Sequence, residues 1–277
     1  MAPWVQYFGA GLVMYVNYDL KVWIILSLQI ALLTAFAAAA GVIAAQAIYP
    51  TAELRANYVP TDITTLIVGL PLLLISIWLV RRGLLLGLLL WPAAVFYGLY
   101  NYFAFLLGAP LSWMTIIYLL IMTLSLYTLI GIGAAVNGAA VKEQVDGRVP
   151  VRLAGGVLFA FGAGFMLRSM AEMTGPLTSQ EILSQSELAL LLTDFIAGAA
   201  WLIGGILLWR RTPFGYVGGT GALFQGAMLF MSVIIVMIIQ SVTGDIQHGA
   251  VDFGVIWVMA LVCFVPAALF IRRLRQV

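Results

Sequence analysis

The basic residues of this 277-residue chain follow a pattern that is typical of multi-pass membrane proteins. Eight apolar stretches run along the chain, and all but two of the thirteen Lys and Arg residues fall in the gaps or flanks on one side of them. Arg55 falls on the other side, and Arg168 falls within a stretch. Because short loops rich in Lys and Arg remain in the cytoplasm, this pattern predicts an all-α integral membrane protein with both termini in the cytoplasm.

The length of the stretches agrees with this interpretation, since a helix needs about 20 apolar residues to cross the hydrocarbon core. The predicted spans are residues 22–48, 63–80, 84–107, 112–136, 153–173, 188–209, 214–242 and 251–271. Only 9% of the residues are charged, whereas soluble domains have about 25%. We therefore expect the chain in the inner or plasma membrane of the cell.

The spans divide into two groups of four. Residues 1–21 are predicted to form an aromatic interfacial segment, 22–136 a first four-helix half, 137–152 a cytoplasmic connector and 153–277 a second half. Asp62 is predicted to open helix two and Asp194 lies early in helix six, and both helices end at an arginine pair. These features favour a parallel 4+4 repeat. The alternative to the repeat is a chance recurrence of arginine turns. The alternative to the interfacial segment is an additional short span before residue 18.

Small residues predict where two helices approach closely. Helix five carries Gly156, Ala160 and Gly164 at a spacing of four. Such a face lets two backbones come together in lipid, where no hydrophobic force drives helices to associate.

Several kinds of chemistry are excluded by residue counts. Cys263 is the only cysteine and His248 the only histidine, so the chain by itself cannot form a disulfide, a cysteine cluster or a multi-histidine metal site. Lys21 and Lys142 flank the spans, so no lysine is available for a Schiff base within the membrane. We expect neither a cofactor nor a metal. The net charge of +2 is too small to indicate nucleic-acid binding.

Three charged residues are predicted to meet in the outer half of the bundle. Arg168 would lie about 8 Å below the outer end of helix five, and Asp194 at a similar depth in helix six. Glu172 follows Arg168 by four residues and shares its helix face. A charge within the membrane costs about 2.5–3.5 kcal/mol on insertion scales. Arg168, Glu172 and Asp194 should therefore pair with each other, either as a lock between two helices or as a site for an anion, a proton or a polar head group.

Other polar and aromatic side chains concentrate in the same outer half. The predicted pocket lining consists of Asn101, Tyr102, Tyr118, Gln240 and His248. An outward-facing pocket would explain this enrichment, although tyrosines also gather at membrane interfaces without any pocket.

The second half resembles a group of prokaryotic multi-pass membrane proteins of unknown function. The resemblance rests on the Arg148–Arg152 segment, on Thr193 with Asp194, and on residues 209–216 around the second arginine pair. It covers about half of the chain and implies no particular activity.

Three functions remain open from the sequence. The first is a non-enzymatic protein that binds or transports a small or amphipathic ligand through the outward-facing pocket, in contact with membrane lipids. The second is an accessory or scaffold subunit that packs against a partner subunit or a second copy. The third is an intramembrane enzyme acting on a lipid, with Asp62, Asp194 or His248 as acid or base. Because the sequence contains no catalytic fingerprint, the enzyme is the least favoured.

Overall fold

The computed structural model describes residues 10–178 and 183–274. Within these ranges there is no strand, and eight helices are long and apolar enough to cross a membrane. We number them α1 to α8: Lys21–Ile43, Ala52–Arg81, Leu85–Gly108, Trp113–Ala135, Val151–Gly175, Gln185–Trp209, Gly215–Thr243 and Ala250–Leu274. The predicted all-helical, multi-pass architecture is confirmed. Residues 1–9 of the predicted interfacial segment and residues 275–277 of the second half lie outside the described residues.

The predicted boundary between the first two spans is wrong. Helix α1 ends at Ile43 and a separate turn follows at Ala45–Ile48, whereas α2 begins already at Ala52. Thr51 caps α2, because its side chain accepts a hydrogen bond from the Leu54 amide. The first turns of α2 are polar, so hydropathy does not detect them. Asp62 therefore does not open the helix but lies inside it.

Two spanning helices contain a π-helical turn. In α2 this turn covers Thr65–Gly69, three residues after Asp62, and in α7 it covers Gly215–Gly219 at the start of the helix. The two turns lie in helices two and seven, which do not occupy equivalent places in a 4+4 repeat. Such turns are rare and are frequently found at functional sites.

Helices α5 and α6 pack very closely. A Cβ added at Gly162 would lie 2.5 Å from the Leu202 amide nitrogen, and one added at Gly155 would lie 2.8 Å from the Gly205 carbonyl oxygen. The spacing of four predicted that Gly164 faces the neighbouring helix. A Cβ added at Gly164 would have nothing within 4 Å. The backbone contact therefore uses Gly155 and Gly162, seven residues apart, while on the predicted face a Cβ at Gly156 would lie 2.8 Å from the Trp209 ring of α6 and only Gly164 faces no neighbour.

Hydrogen bonds tie together the loops at the end of the bundle that carries the arginine pairs. The Tyr216 hydroxyl donates to Asp146 at 2.5 Å, and Arg211 lies 3.4 Å from the same carboxylate. The hydrogen bond from Tyr216 and the charge of Arg211 lower the pKa of Asp146, against a smaller opposing effect of burial. At the same end, the Asn17 amide donates to the Ala135 carbonyl oxygen at 2.7 Å. This bond holds the described part of the N-terminal segment, a 3₁₀ turn at Ala10–Tyr15, against the end of α4.

Helix α3 joins the two halves of the chain. It packs against α6 and α7 of the second half as well as against α2 and α4. The Tyr97 hydroxyl lies 2.7 Å from the Ser232 hydroxyl of α7, and a Cβ added at Gly221 would lie 3.3 Å from Pro92. Helix α3 thus forms most of the contact between the halves, with α2 against α7 as the next largest part.

Candidate functional site

A cavity of about 470 Å³ opens at the end of the bundle where α2 and α6 begin and where α3 and α7 end. It lies between the two halves, and all the spanning helices except α1 and α4 contribute to it. Along α7 it extends from Gln240 to Leu229, about 16 Å at 1.5 Å per residue. The cavity therefore reaches from one surface of the bundle well into its interior.

The lining of the cavity mixes polar and apolar side chains. Its polar side chains are Asn57, Tyr58, Thr61, Thr64, Tyr100, Asn101, Arg168, Ser186, Glu187, Ser232, Gln240 and His248. Its apolar side chains are Ala104, Phe105, Leu190, Leu229, Val233, Val236, Met237 and Ile256. A lining that combines both kinds of side chain suits a ligand that is itself amphipathic.

The spacing of residues along the helices explains this lining. On α3 the contributors are Tyr100, Asn101, Ala104 and Phe105, which share one helical face because they recur after four residues. Tyr102 is one residue beyond Asn101 and points about 100° further round the helix, away from the cavity. The capping box between Ser184 and Glu187 starts α6 at Gln185 and so sets Ser186 and Glu187 at the cavity mouth.

The structure brings the three predicted charged residues together. Arg168 Nε lies 2.7 Å from Glu172 Oε1, and Arg168 Nη1 lies 3.9 Å from Asp194 Oδ2. The Tyr100 hydroxyl donates to Asp194 Oδ1 at 2.6 Å. The Asp194 side chain is only 3% exposed, whereas that of Arg168 is 53% exposed and lines the cavity. Glu172 and Asp194 thus hold the guanidinium and do not line the cavity themselves.

Of the five residues predicted to line a pocket, Asn101, Gln240 and His248 do so. Gln240 donates to the Ala56 carbonyl oxygen at 3.0 Å, and its side-chain oxygen lies 2.8 Å from His248 Nε2. His248 is therefore paired with an amide and not with a neighbouring aspartate. Asp245 and Asp252 instead accept bonds from the Thr243 hydroxyl and the Gly249 amide, so the described contacts do not form an acid-base pair with the histidine.

Asn101 has an unusual environment. Its side chain lines the cavity and is only 5% exposed, and its amide nitrogen has no hydrogen-bond partner within the described residues. Leaving a buried donor unpaired costs about 1–3 kcal/mol. A ligand with an oxygen acceptor at this point would remove that cost.

The structure places Tyr102 and Tyr118 outside this cavity, so their assignment to its lining was wrong. The Tyr102 hydroxyl donates to the Thr34 carbonyl oxygen at 3.2 Å, and the Tyr118 hydroxyl lies 3.3 Å from that of Tyr49. Their rings pack on each other and on Phe105, with ring centroids 5.4–5.7 Å apart. They belong to a packed aromatic group between α1, α3 and α4, and Phe105 is the ring of this trio that also lines the cavity.

Asp62 lies in this aromatic group, and sequence reasoning did not place it there. The carboxylate is only 2% exposed and accepts a 2.8 Å hydrogen bond from Tyr49. Among the ion pairs of the described residues, none involves Asp62. Gly41 of α1 makes room for it, because a Cβ there would overlap the carboxylate. The Thr51 cap eleven residues upstream is the local signal that could have shown Asp62 to be inside a helix.

Comparison with known proteins gives no further guide to this site: no protein-family model, no curated protein and no solved structure matches the chain. The resemblance suggested by the second half of the sequence accordingly stays a prediction.

Proposed function

We propose that this protein binds or transports a small amphipathic ligand through the cavity between its two halves. The cavity and its lining carry this proposal. A volume of about 470 Å³ lies in the range that accommodates small-molecule ligands, about 300–1,000 Å³. The unpartnered amide nitrogen of Asn101 adds a specific reason to expect a bound group there.

The proposed topology decides which side the ligand comes from. Both termini are placed in the cytoplasm, because the arginine pairs at Arg81 and Arg210 end α2 and α6 on the same side as the connector at 137–152. The cavity mouth is at the opposite end of these helices, where Ser186 and Glu187 begin α6. Under this topology the pocket faces the exterior of the cell.

The parallel 4+4 arrangement is part of the same proposal. It is supported by one shared feature of the second helix in each half, a buried aspartate that accepts a hydrogen bond from a tyrosine of the first half: Asp62 of α2 from Tyr49, and Asp194 of α6 from Tyr100. Only the second of these carboxylates has a basic partner among the described residues. The two halves would then share one architecture, and only the aspartate of the second half would hold a basic residue of the cavity wall, Arg168.

The test is ligand-dependent thermal stabilisation of the purified protein, measured across a panel of lipids and metabolites. Wild type is compared with Ala104→Phe, which places a ring in the cavity, and with Val233→Phe, which does so from the facing wall. Ala200→Phe is the matched control, because Ala200 lies on an exposed face of α6 outside the cavity lining. A ligand at a hundred times its dissociation constant adds about 2.7 kcal/mol, which corresponds to a rise of several degrees in melting temperature.

Stabilisation of wild type and Ala200→Phe, lost in both cavity-filling variants, supports the proposal. If no compound stabilises the wild type and another membrane subunit co-purifies in fixed ratio, the cavity is not a ligand site. The protein is then an accessory subunit.

A further inference from the structure

We infer that the cavity selects an amphiphile whose head group carries a positive charge, an ammonium or quaternary ammonium, next to an oxygen acceptor. This inference rests on the proposed function and adds the chemical class of its ligand. It departs from the simplest view of the site, in which the single arginine would attract an anion.

The charge of Arg168 is already compensated. Its guanidinium meets the Glu172 carboxylate at 2.7 Å and the Asp194 carboxylate at 3.9 Å. These three groups together carry one net negative charge. A ligand carboxylate or phosphate that approached the remaining N–H groups of the guanidinium would be repelled by both carboxylates.

The cavity mouth adds a further carboxylate, which accepts the capping hydrogen bond from the Ser184 amide and has no basic partner among the ion pairs of the described residues. Glu187 lines the mouth, and in the described part of the chain Arg168 is the one Lys or Arg side chain among the lining residues. Arg55 lies near the same end of α2, but its guanidinium donates to the carbonyl oxygens of Tyr49 and Pro50 at 3.0 and 2.9 Å. The single positive charge of Arg168 is outnumbered by the negative charges of Glu172, Asp194 and Glu187. The fixed charges in and around the cavity therefore favour a cation.

Aromatic rings provide a second kind of partner for a cation. Tyr58 and Phe105 line the cavity with their ring centroids 4.7 Å apart, and Tyr100 lines it as well. Ring faces attract ammonium groups, most strongly where water is excluded. An anion would gain nothing from these faces.

The apolar side chains of the lining account for the rest of the ligand. Val233, Met237 and Ile256 provide apolar surface suited to a hydrocarbon chain. Asn101 offers an unpaired amide donor in the same cavity. The matching ligand therefore carries a carbonyl, ester or hydroxyl oxygen in addition to its charged group and its chain.

The experiment uses four probes with ten-carbon chains below their micellar concentrations: decanoylcholine, decyltrimethylammonium, decylphosphocholine and decanoate. Their binding to the purified full chain is measured by melting temperature and by titration in neutral maltoside micelles. We expect decanoylcholine to bind most tightly, decyltrimethylammonium next, and decanoate not at all. Ala104→Phe should abolish binding of both cationic probes.

Two variants separate the contributions of the charge and of the hydrogen bond. Glu187→Gln keeps the helix cap, because glutamine can also complete a capping box, and should weaken both cationic probes about fivefold or more. The matched control is Glu53→Gln, an exposed acid in the first turn of α2 that is not part of the lining. Asn101→Leu should remove the advantage of decanoylcholine over decyltrimethylammonium without lowering the melting temperature of the unliganded protein.

Each failure has a distinct meaning. If decanoate binds more tightly than the cationic probes, the ligand is an anion and the inference is overturned, while the proposed function stands. If the cationic probes bind equally to Ala104→Phe, they act through the micelle and not through the cavity. If none of the four binds and the wider panel also stabilises nothing, the proposed function itself fails.

Discussion

Arg168 contacts two carboxylates of very different exposure, and this difference determines the effect of each substitution. Glu172 is about half-exposed on the same helix, whereas Asp194 is buried on α6 and, among the described residues, has Tyr100 as its other partner. An exposed pair separated by four residues contributes about 0.3–0.5 kcal/mol. Loss of the cation beside a buried carboxylate costs far more, because the charge is left without compensation.

We therefore predict a strong asymmetry in a mutant cycle. Arg168→Gln should lower the free energy of unfolding by about 2 kcal/mol, less than the roughly 3–5 kcal/mol of a fully buried pair because Arg168 is half-exposed. Adding Asp194→Asn should recover most of the loss, since it removes the unpaired charge and keeps an acceptor for Tyr100. Unfolding in detergent measures all variants, with Glu172→Gln as the near-neutral control. Additive effects of the two substitutions would contradict this prediction.

At the scale of single residues, the sequence predicted some partners and missed others. Glu172 follows from its spacing to Arg168, and Asp194 follows from equal depth in adjacent helices. Tyr102 was assigned to the cavity because Asn101 and Tyr102 have the same depth, but depth does not specify which side of the helix a residue faces. Asp62 was misplaced because a polar first turn looks like a loop on a hydropathy scale.

At the scale of helices, the α5–α6 pair shows how close packing depends on glycine. Gly155 and Gly162 of α5 face Gly205 and Gly198 of α6, and both pairs of positions are seven residues apart. Two helices that repeat contacts every seven residues can stay in register over their length. The sequence also offers glycines at a spacing of four, and composition alone cannot tell which set faces the partner helix.

We predict that Gly162→Ala destabilises the protein by about 1–3 kcal/mol, because the new methyl group would press on the backbone of α6 at Leu202. Gly164→Ala is the matched control two residues away, where a Cβ meets nothing within 4 Å. That variant should be neutral or more stable by up to about 1 kcal/mol, because alanine favours helix. Melting temperatures in one detergent compare the two, and equal effects would refute the assigned helix face.

At the scale of the whole molecule, the proposed topology makes a direct prediction about accessibility. Cys263 is only 1% exposed and is first replaced by alanine. Single cysteines are then introduced at Glu143 and Gln247, which are exposed at opposite ends of the bundle. A membrane-impermeant maleimide should label Gln247→Cys on intact cells and Glu143→Cys only after permeabilisation. The reverse pattern would place the cavity mouth in the cytoplasm.

The sequence by itself determined the class of the protein, the number of spans and most of their boundaries. These properties depend on the summed hydropathy of each segment, because each segment partitions into the membrane according to its own residues. Only the tertiary structure decided which faces of the helices meet. The cavity takes residues from six helices in both halves of the chain, and its depth, its unpaired Asn101 and its excess of carboxylates arise from packing between segments far apart in sequence. No local pattern encodes how those helices are rotated about their axes.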